Sequence, residues 1–179
     1  EPGLACQPFL STGASGPDVS VFDNGLALSA TDWIEEGRLR RLRYHRAGAA
    51  RAGTAPTPPV DNLVLELPGA TGTVEDMVAA TERGLLLTCL WYIREVDPAT
   101  LLLTGLTRDG VYLVEDGAVV GAVNNFRFNE SPVDLLARAG EVGRTARTLG
   151  REFGEWANRT AMPPLRVPDF NMSSVSRAS

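Results

Sequence analysis

The 179-residue chain is 44% apolar and 22% charged, an ordinary balance for a folded protein that excludes disorder as its overall state. Its 17 basic residues face 22 acidic ones, and the net charge of −5 argues against a generally basic nucleic-acid binder. All 17 basic residues are arginine and none is lysine, a bias expected of a GC-rich genome of actinobacterial type rather than of a mechanism.

Residues 1–17, loose in Gly, Pro and Ser, read as a leading loop. Residues 18–22 predict a short strand. Asp23-Asn24-Gly25 then turns the chain, because Asn and Gly tolerate positive φ. Extended chain over 26–34 leads to a second turn at Glu35-Glu36-Gly37. Residues 38–44 are either a strand with an arginine-rich face or the start of a helix. Residues 46–59, with Ala, Gly, Pro56, Pro58 and Pro59, read as a mobile loop. A strand follows over 62–67.

Thr73 and Asp76 stand at capping-box spacing, so a helix is expected to begin there, run to Arg83 and stop at Gly84. Strands are expected over 84–93 and 101–107, parted by a turn at Asp97-Pro98. Thr107-Arg108-Asp109-Gly110 reads as a turn into a strand over 111–115, and Asp116-Gly117 as a turn into 118–126. Turns this short predict an antiparallel meander. Ser131 as cap and Pro132 at the first helical position predict a second helix to about Ala139. Residues 141–156 continue helically or stay irregular, and 165–167 and 171–175 are short terminal strands. The expected fold class is α+β: mostly antiparallel sheet, as a meander of barrel-like or sandwich form, with two or three packed helices. One domain is expected over 18–176, with a tail over 177–179.

His45 is the one histidine, and Cys6 and Cys89 are the only cysteines. A zinc site needs three or four His, Cys or carboxylate ligands, so no internal zinc centre and no metal ligand are assigned. G-x-S-x-G, Walker and G-x-G-x-x-G patterns are absent, and no catalytic residue is assigned. His45 lies among arginines and reads as a surface residue. Cys89 lies in an apolar run and reads as a small core hydrophobe. Two distant cysteines do not define a disulfide. The absence of a long apolar stretch or a signal pattern predicts a cytoplasmic protein without a membrane partner. A start without Met reads as a trimmed chain or a fragment of a longer one. The arginines from Arg38 to Arg46 read first as a solvated strand face. An anion or carboxylate site is the alternative, because guanidinium forks pair bidentately.

Polar residues concentrate in 124–131 (NNFRFNES), after a strand and before a capped helix. Phe126 and Phe128 are expected to face the core, with Asn125, Arg127 and Asn129 facing a groove. Strand-end segments of this kind carry function, although Asn and Glu also serve turns and caps. Arg94 and Asp97 stand at the end of a neighbouring strand and complete a candidate set of Arg94, Asp97, Asn125, Arg127, Asn129 and Glu130.

Three segments in order, residues 84–88 (GLLLT), Val96-Asp97-Pro98-Ala99-Thr100 and residues 110–117 (GVYLVEDG), resemble the C-terminal domain of the TldD/PmbA family. The resemblance covers roughly residues 18–176. It implies a two-subunit metallopeptidase system, historically called modulators of DNA gyrase. That system is linked to maturation of peptide antibiotics and to degradation of unfolded or antitoxin polypeptides. The TldD-type subunit carries zinc on an H-E-x-x-x-H helix, with a Cys ligand near its C-terminus. The PmbA-type subunit, also called TldE, lacks the zinc site. The present chain has no H-E-x-x-x-H, and residues 154–160 (GEWANRT) hold no Cys where the late ligand would fall.

The resemblance therefore implies a PmbA (TldE)-like, non-catalytic subunit of a zinc metallopeptidase acting on peptides or unfolded polypeptides. Its expected partners are a TldD-like subunit or a second copy, and a peptide, with no direct nucleic-acid contact. No cofactor is expected in this chain; zinc belongs to the partner or to a missing N-terminal half. The six candidate residues become expected contacts to peptide backbone or partner, since Asn and Arg satisfy C=O groups and Asn and Glu satisfy N–H groups. Two alternatives stay open: the C-terminal half of a zinc-bearing TldD-type metallopeptidase, and a stand-alone binding module.

Overall fold

Caps and two-residue turns set several element ends among the described residues. The structure, a computed structural model, describes residues 9–12, 25–27, 29–58, 60, 62–150, 152 and 159–176. The strands in the first half are β1 (Phe9–Thr12), β2 (Thr31–Glu35), β3 (Arg38–Leu39), β4 (Asn62–Glu66), β5 (Arg83–Leu87) and β6 (Leu90–Asp97). The helices α1 (Arg46–Ala52) and α2 (Val74–Ala79) fall among them. Then come β7 (Leu102–Thr107), β8 (Val111–Glu115), β9 (Ala118–Ala122), β10 (Asn125–Glu130) and α3 (Pro132–Ala137). The last strands are β11 (Glu141–Val142), β12 (Ala146–Thr148), β13 (Arg159–Met162), β14 (Leu165–Arg166) and β15 (Met172–Ser176). The chain is thus α+β, with mostly antiparallel sheets and three short helices among the described residues. None of these helices is long and apolar enough to cross a membrane.

The described residues divide into two compact units, 9–68 with 145–163, and 69–144 with 164–176. The first unit is a six-stranded sheet in the order β12-β13-β4-β1-β2-β3, antiparallel except where β13 joins β4. Thr31 and Trp33 of β2 are buried, two residues apart on one face, as a half-buried strand requires. The hairpin from β2 to β3 turns at Glu36-Gly37, as expected.

Two expectations fail in this unit. Residues 9–12, placed in the leading loop, form β1, which pairs with both β2 and β4. Residues 46–52, placed in a mobile loop, form α1. Ala and Arg are strong helix formers, and the prolines begin only beyond the helix end. His45 caps α1, its Nδ1 accepting the Gly48 N–H at 3.1 Å. Gly53 closes it in the left-handed conformation (φ 65°), which costs glycine nothing. Tyr44 and Thr57 then clamp the loop, Thr57 N–H donating to the Tyr44 carbonyl and Tyr44 N–H to Thr57 Oγ1, each at 3.0 Å.

In the second unit, Thr73 and Asp76 form the expected capping box of α2. The helix ends at Ala80, earlier than expected, and Arg83 already belongs to β5. The strand expected over 84–93 breaks at Thr88-Cys89 and serves two sheets. One is three-stranded, β5-β8-β9; the other is four-stranded, β15-β10-β7-β6. The β8–β9 hairpin turns at Asp116-Gly117 as expected.

The meander is otherwise corrected at Thr107–Gly110. No hairpin forms there; β7 runs on into β8 through a bend. Arg108 N–H donates to the Cys89 carbonyl at 3.0 Å and Thr88 N–H to the Gly110 carbonyl at 3.2 Å, so pairing persists across it. Asp109 (φ 57°) and Gly110 (φ 133°) make the bend. A Cβ on Gly110 would stand 2.8 Å from Tyr112 Cε2, so backbone and packing both call for glycine. Asp-Gly marks positive φ, which bends a strand as readily as it reverses one.

Pro132 opens α3 as expected, but Ser131 makes no side-chain cap bond and is itself buried. Residues 141–142 and 146–148 are strands, not helix. Gly140 and Gly143 interrupt any helix, and Val142, Thr145 and Thr148 favour extended chain. The expected strand over 18–22, the Asp23-Asn24 part of its turn, Cys6, residues 153–158 and the tail 177–179 lie outside the described residues. Core positions of the second unit include Met77, Val111, Val114 and Phe128. Phe128 packs against Gly105 and tilts at 57° to Phe170, ring centroids 5.6 Å apart.

Candidate functional site

All six candidate residues fall on the four-stranded sheet, on β6 and β10, with β7 between those strands. Directly paired residues share a face, and faces alternate along a strand. Arg94 pairs with Thr104, and Thr104 with Asn129, so these three form one row across the sheet. Leu102 carries Asp97 on the same face, and Leu106 joins Trp91 to Arg127. Asn125 follows by alternation along β10. By register, five of the six positions therefore fall on one face, although the Asn125 amide turns to the buried Thr107 hydroxyl. Backbones of β6 and β10 lie about 10 Å apart, two strand spacings, a width that one extended peptide can cover.

Glu130 is the exception. It lies on the opposite face with Phe128, only 6% exposed. Its carboxylate accepts from Arg138 and, at 2.7 Å, from the Asn171 N–H. Arg138 also donates to the Pro168 carbonyl at 3.2 Å, so this pair ties β10, the end of α3 and the 168–171 segment together. A buried carboxylate whose Oε1 takes both of these donors serves as an anchor of the fold. Phe128 faces the core as expected, and Phe126 is half-buried.

The five residues on the shared face differ in what holds them. Arg127 is exposed and Asn129 half-buried. Asn125 Oδ1 lies 3.4 Å from Thr107 Oγ1, a fully buried hydroxyl that also accepts the Phe126 N–H at 2.9 Å. Arg94 stacks on the Tyr92 ring, its guanidinium carbon 4.4 Å from the centroid, and donates to the Ile93 carbonyl at 2.7 Å. Tyr92 has a φ of 58°, rare for an aromatic residue, at a bulge between Trp91 and Arg94. Asp97 is a turn residue: it accepts the Thr100 hydroxyl at 2.8 Å and the Ala99 N–H at 3.0 Å. The Thr100 hydroxyl, then the Ala99 N–H, hold its carboxyl below the usual carboxylate range.

The face also includes Thr104, whose hydroxyl donates to the Phe128 carbonyl at 3.0 Å, and the Tyr92 platform under Arg94. Neither was singled out from the sequence. The alternation through Thr104, Gly105, Leu106 and Thr107 was the signal available, since it puts Thr104 opposite the core positions.

The donors among the described residues do not fit a zinc ion. No group of three His, Cys, Asp or Glu side chains converges among the described residues. His45, in the first unit, already uses Nδ1 as a helix cap, and Cys89, in the second, is a half-buried thiol outside any disulfide, donating to the Leu90 carbonyl at 3.7 Å.

Three solved structures share this fold. TldE from Thermococcus kodakarensis is 19% identical with a TM-score of 0.66, over 97% of this chain and 40% of that one. A Bacteroides thetaiotaomicron protein described as a modulator of DNA gyrase is 19% identical with a TM-score of 0.69, over 99% of this chain and 38% of that one. Its Thermotoga maritima counterpart is 18% identical with a TM-score of 0.66, over 93% of this chain and 39% of that one. This chain thus spans less than half the length of each. A search of the curated proteins gives no match. The family described as PmbA/TldA metallopeptidase C-terminal domain matches residues 6–174, nearly the whole chain, and this chain belongs to that PmbA/TldD family as its C-terminal domain.

Proposed function

We propose that this domain serves a PmbA (TldE)-like, non-catalytic subunit of a two-subunit zinc metallopeptidase that acts on peptides or unfolded polypeptides. The residues where the late ligand would fall carry the reading: 154–160 (GEWANRT) hold no Cys, so this domain offers no counterpart of that TldD-type ligand. On this reading zinc and the reacting water belong to a TldD-like partner. This chain contributes surface: Arg127, Asn129 and Arg94 offer amide and guanidinium groups along one sheet face. Such groups bond peptide carbonyls, and Asn129 also accepts peptide N–H groups.

Hydrolysis of an unfolded, fluorescently quenched casein tests the assignment. The complete gene product alone is expected to show no turnover, and the mixture with a zinc-bearing TldD-type subunit to show it. Turnover by the lone protein that a zinc chelator abolishes would overturn the reading. In the active mixture, Arg127→Ala with Asn129→Ala is expected to raise KM by about tenfold while leaving kcat within about twofold, the signature of lost uniform binding.

A further inference from the structure

We propose that the arginine-rich stretch from Arg38 to Arg51 is a docking surface for an acidic polypeptide segment. Residues 37–60 hold six of the 17 arginines and none of the 22 acidic residues, so the remaining chain has a net charge of −11 against −5 for the whole. All six arginines, Arg38, Arg40, Arg41, Arg43, Arg46 and Arg51, are exposed. Arg40 pairs with Glu35 at 2.9 Å. Arg41, Arg43 and Arg51 form no ion pair among the described residues, and Arg38 stands opposite Glu35 across the β2–β3 hairpin. A concentrated positive surface on an acidic protein is a device for steering and holding an anionic partner.

Local geometry favours a polypeptide. The chain runs without helix from Arg38 to His45. It is anchored at one end by Arg40 N–H on the Trp33 carbonyl (2.8 Å) and at the other by the Tyr44–Thr57 clamp. Arg41 and Arg43 stand two residues apart in sequence, the spacing at which an extended peptide sets alternate carboxylates about 6.6 Å apart. Guanidinium forks bind carboxylates bidentately. Leu39 (38% exposed) and Leu42 (55% exposed) lie between the arginines and offer apolar contact to the partner's side chains. A nucleic acid would use stacking platforms, yet Tyr44, half-buried, is the one Phe, Tyr or Trp in the stretch, and His45 is taken up as the cap of α1. The rest of the chain, at −11, also repels a long polyanion.

This surface stands independently of the subunit assignment, since its test needs neither zinc nor a partner subunit. The probe is a short fluorescein-labelled peptide of alternating Glu and Leu, titrated with the full chain and read by anisotropy. Binding that weakens with salt is expected, and Arg41→Glu with Arg43→Glu is expected to weaken it at least tenfold. The neutral pair Arg41→Gln with Arg43→Gln is expected to fall between the two, with the thermal midpoint of the wild type retained. Equal binding by wild type and both variants would overturn the proposal. So would tighter binding of an oligothymidine of matched charge, which would assign the surface to nucleic acid instead.

Discussion

Glu130 in β10 and the arginines from Arg38 to Arg51 are both charged groups in polar stretches of sequence, and they meet opposite fates. Glu130 is 6% exposed and holds two donors from separate segments. Arg41, Arg43 and Arg51 remain in water and form no ion pair among the described residues. A charge buried and paired works for the fold, because removing one member strands the other. A charge held exposed by a rigid backbone costs little and stays open to a partner. Even within β10 the division recurs, since Arg127 and Asn129 point to the face opposite Glu130.

Substitutions can break this contrast directly. Glu130→Ala is expected to destabilise the chain by about 3 kcal/mol, read as a lower urea midpoint, because Arg138 and the Asn171 N–H lose their acceptor. Arg41→Glu with Arg43→Glu is expected to stay within about 0.5 kcal/mol of wild type in the same assay. Equal losses from both would erase the distinction. Gly105→Ala sharpens it from the packing side. Its Cβ would meet Phe128 ring atoms at 2.5 and 2.7 Å and the Trp91 carbonyl at 3.0 Å, a clash expected to cost about 2 kcal/mol.

The capping box of α2 gives a smaller effect. Thr73→Ala is expected to cost about 1 kcal/mol, seen as a lower thermal midpoint. The Thr73 N–H, then its hydroxyl, hold the Asp76 carboxyl below the usual carboxylate range. The folded carboxyl is thus more acidic than the unfolded one, so its contribution is present above about pH 4 and lost as pH falls through the lower folded value. The stability gap between wild type and Asp76→Asn is expected to hold steady above about pH 5 and to close in stronger acid. A gap that widens on acidification would contradict the assignment.

Short-range chemistry was the legible part of this chain. The Thr73–Asp76 box, the Glu36-Gly37 and Asp116-Gly117 turns and Pro132 at the start of α3 all act within a few residues of themselves. The helix α1 was hidden because its cap is a histidine, outside the usual Ser, Thr, Asp and Asn set. The division of residues 83–97 and 102–115 between two sheets was hidden for another reason. Thr88-Cys89 and Asp109-Gly110 keep pairing across the bend, so no break appears in the sequence. The burial of Glu130 depends on partners 8 and 41 residues away, which no local pattern announces. That is why five of the six candidate residues share a face and the sixth does not.

Zinc content of the complete gene product, measured by mass spectrometry after purification without added metal, tests the functional assignment most directly. No stoichiometric zinc is expected in the protein purified alone, and zinc is expected in the complex purified with a TldD-like subunit. One zinc per chain in the lone protein would contradict that assignment and make this domain part of a metal-bearing peptidase subunit.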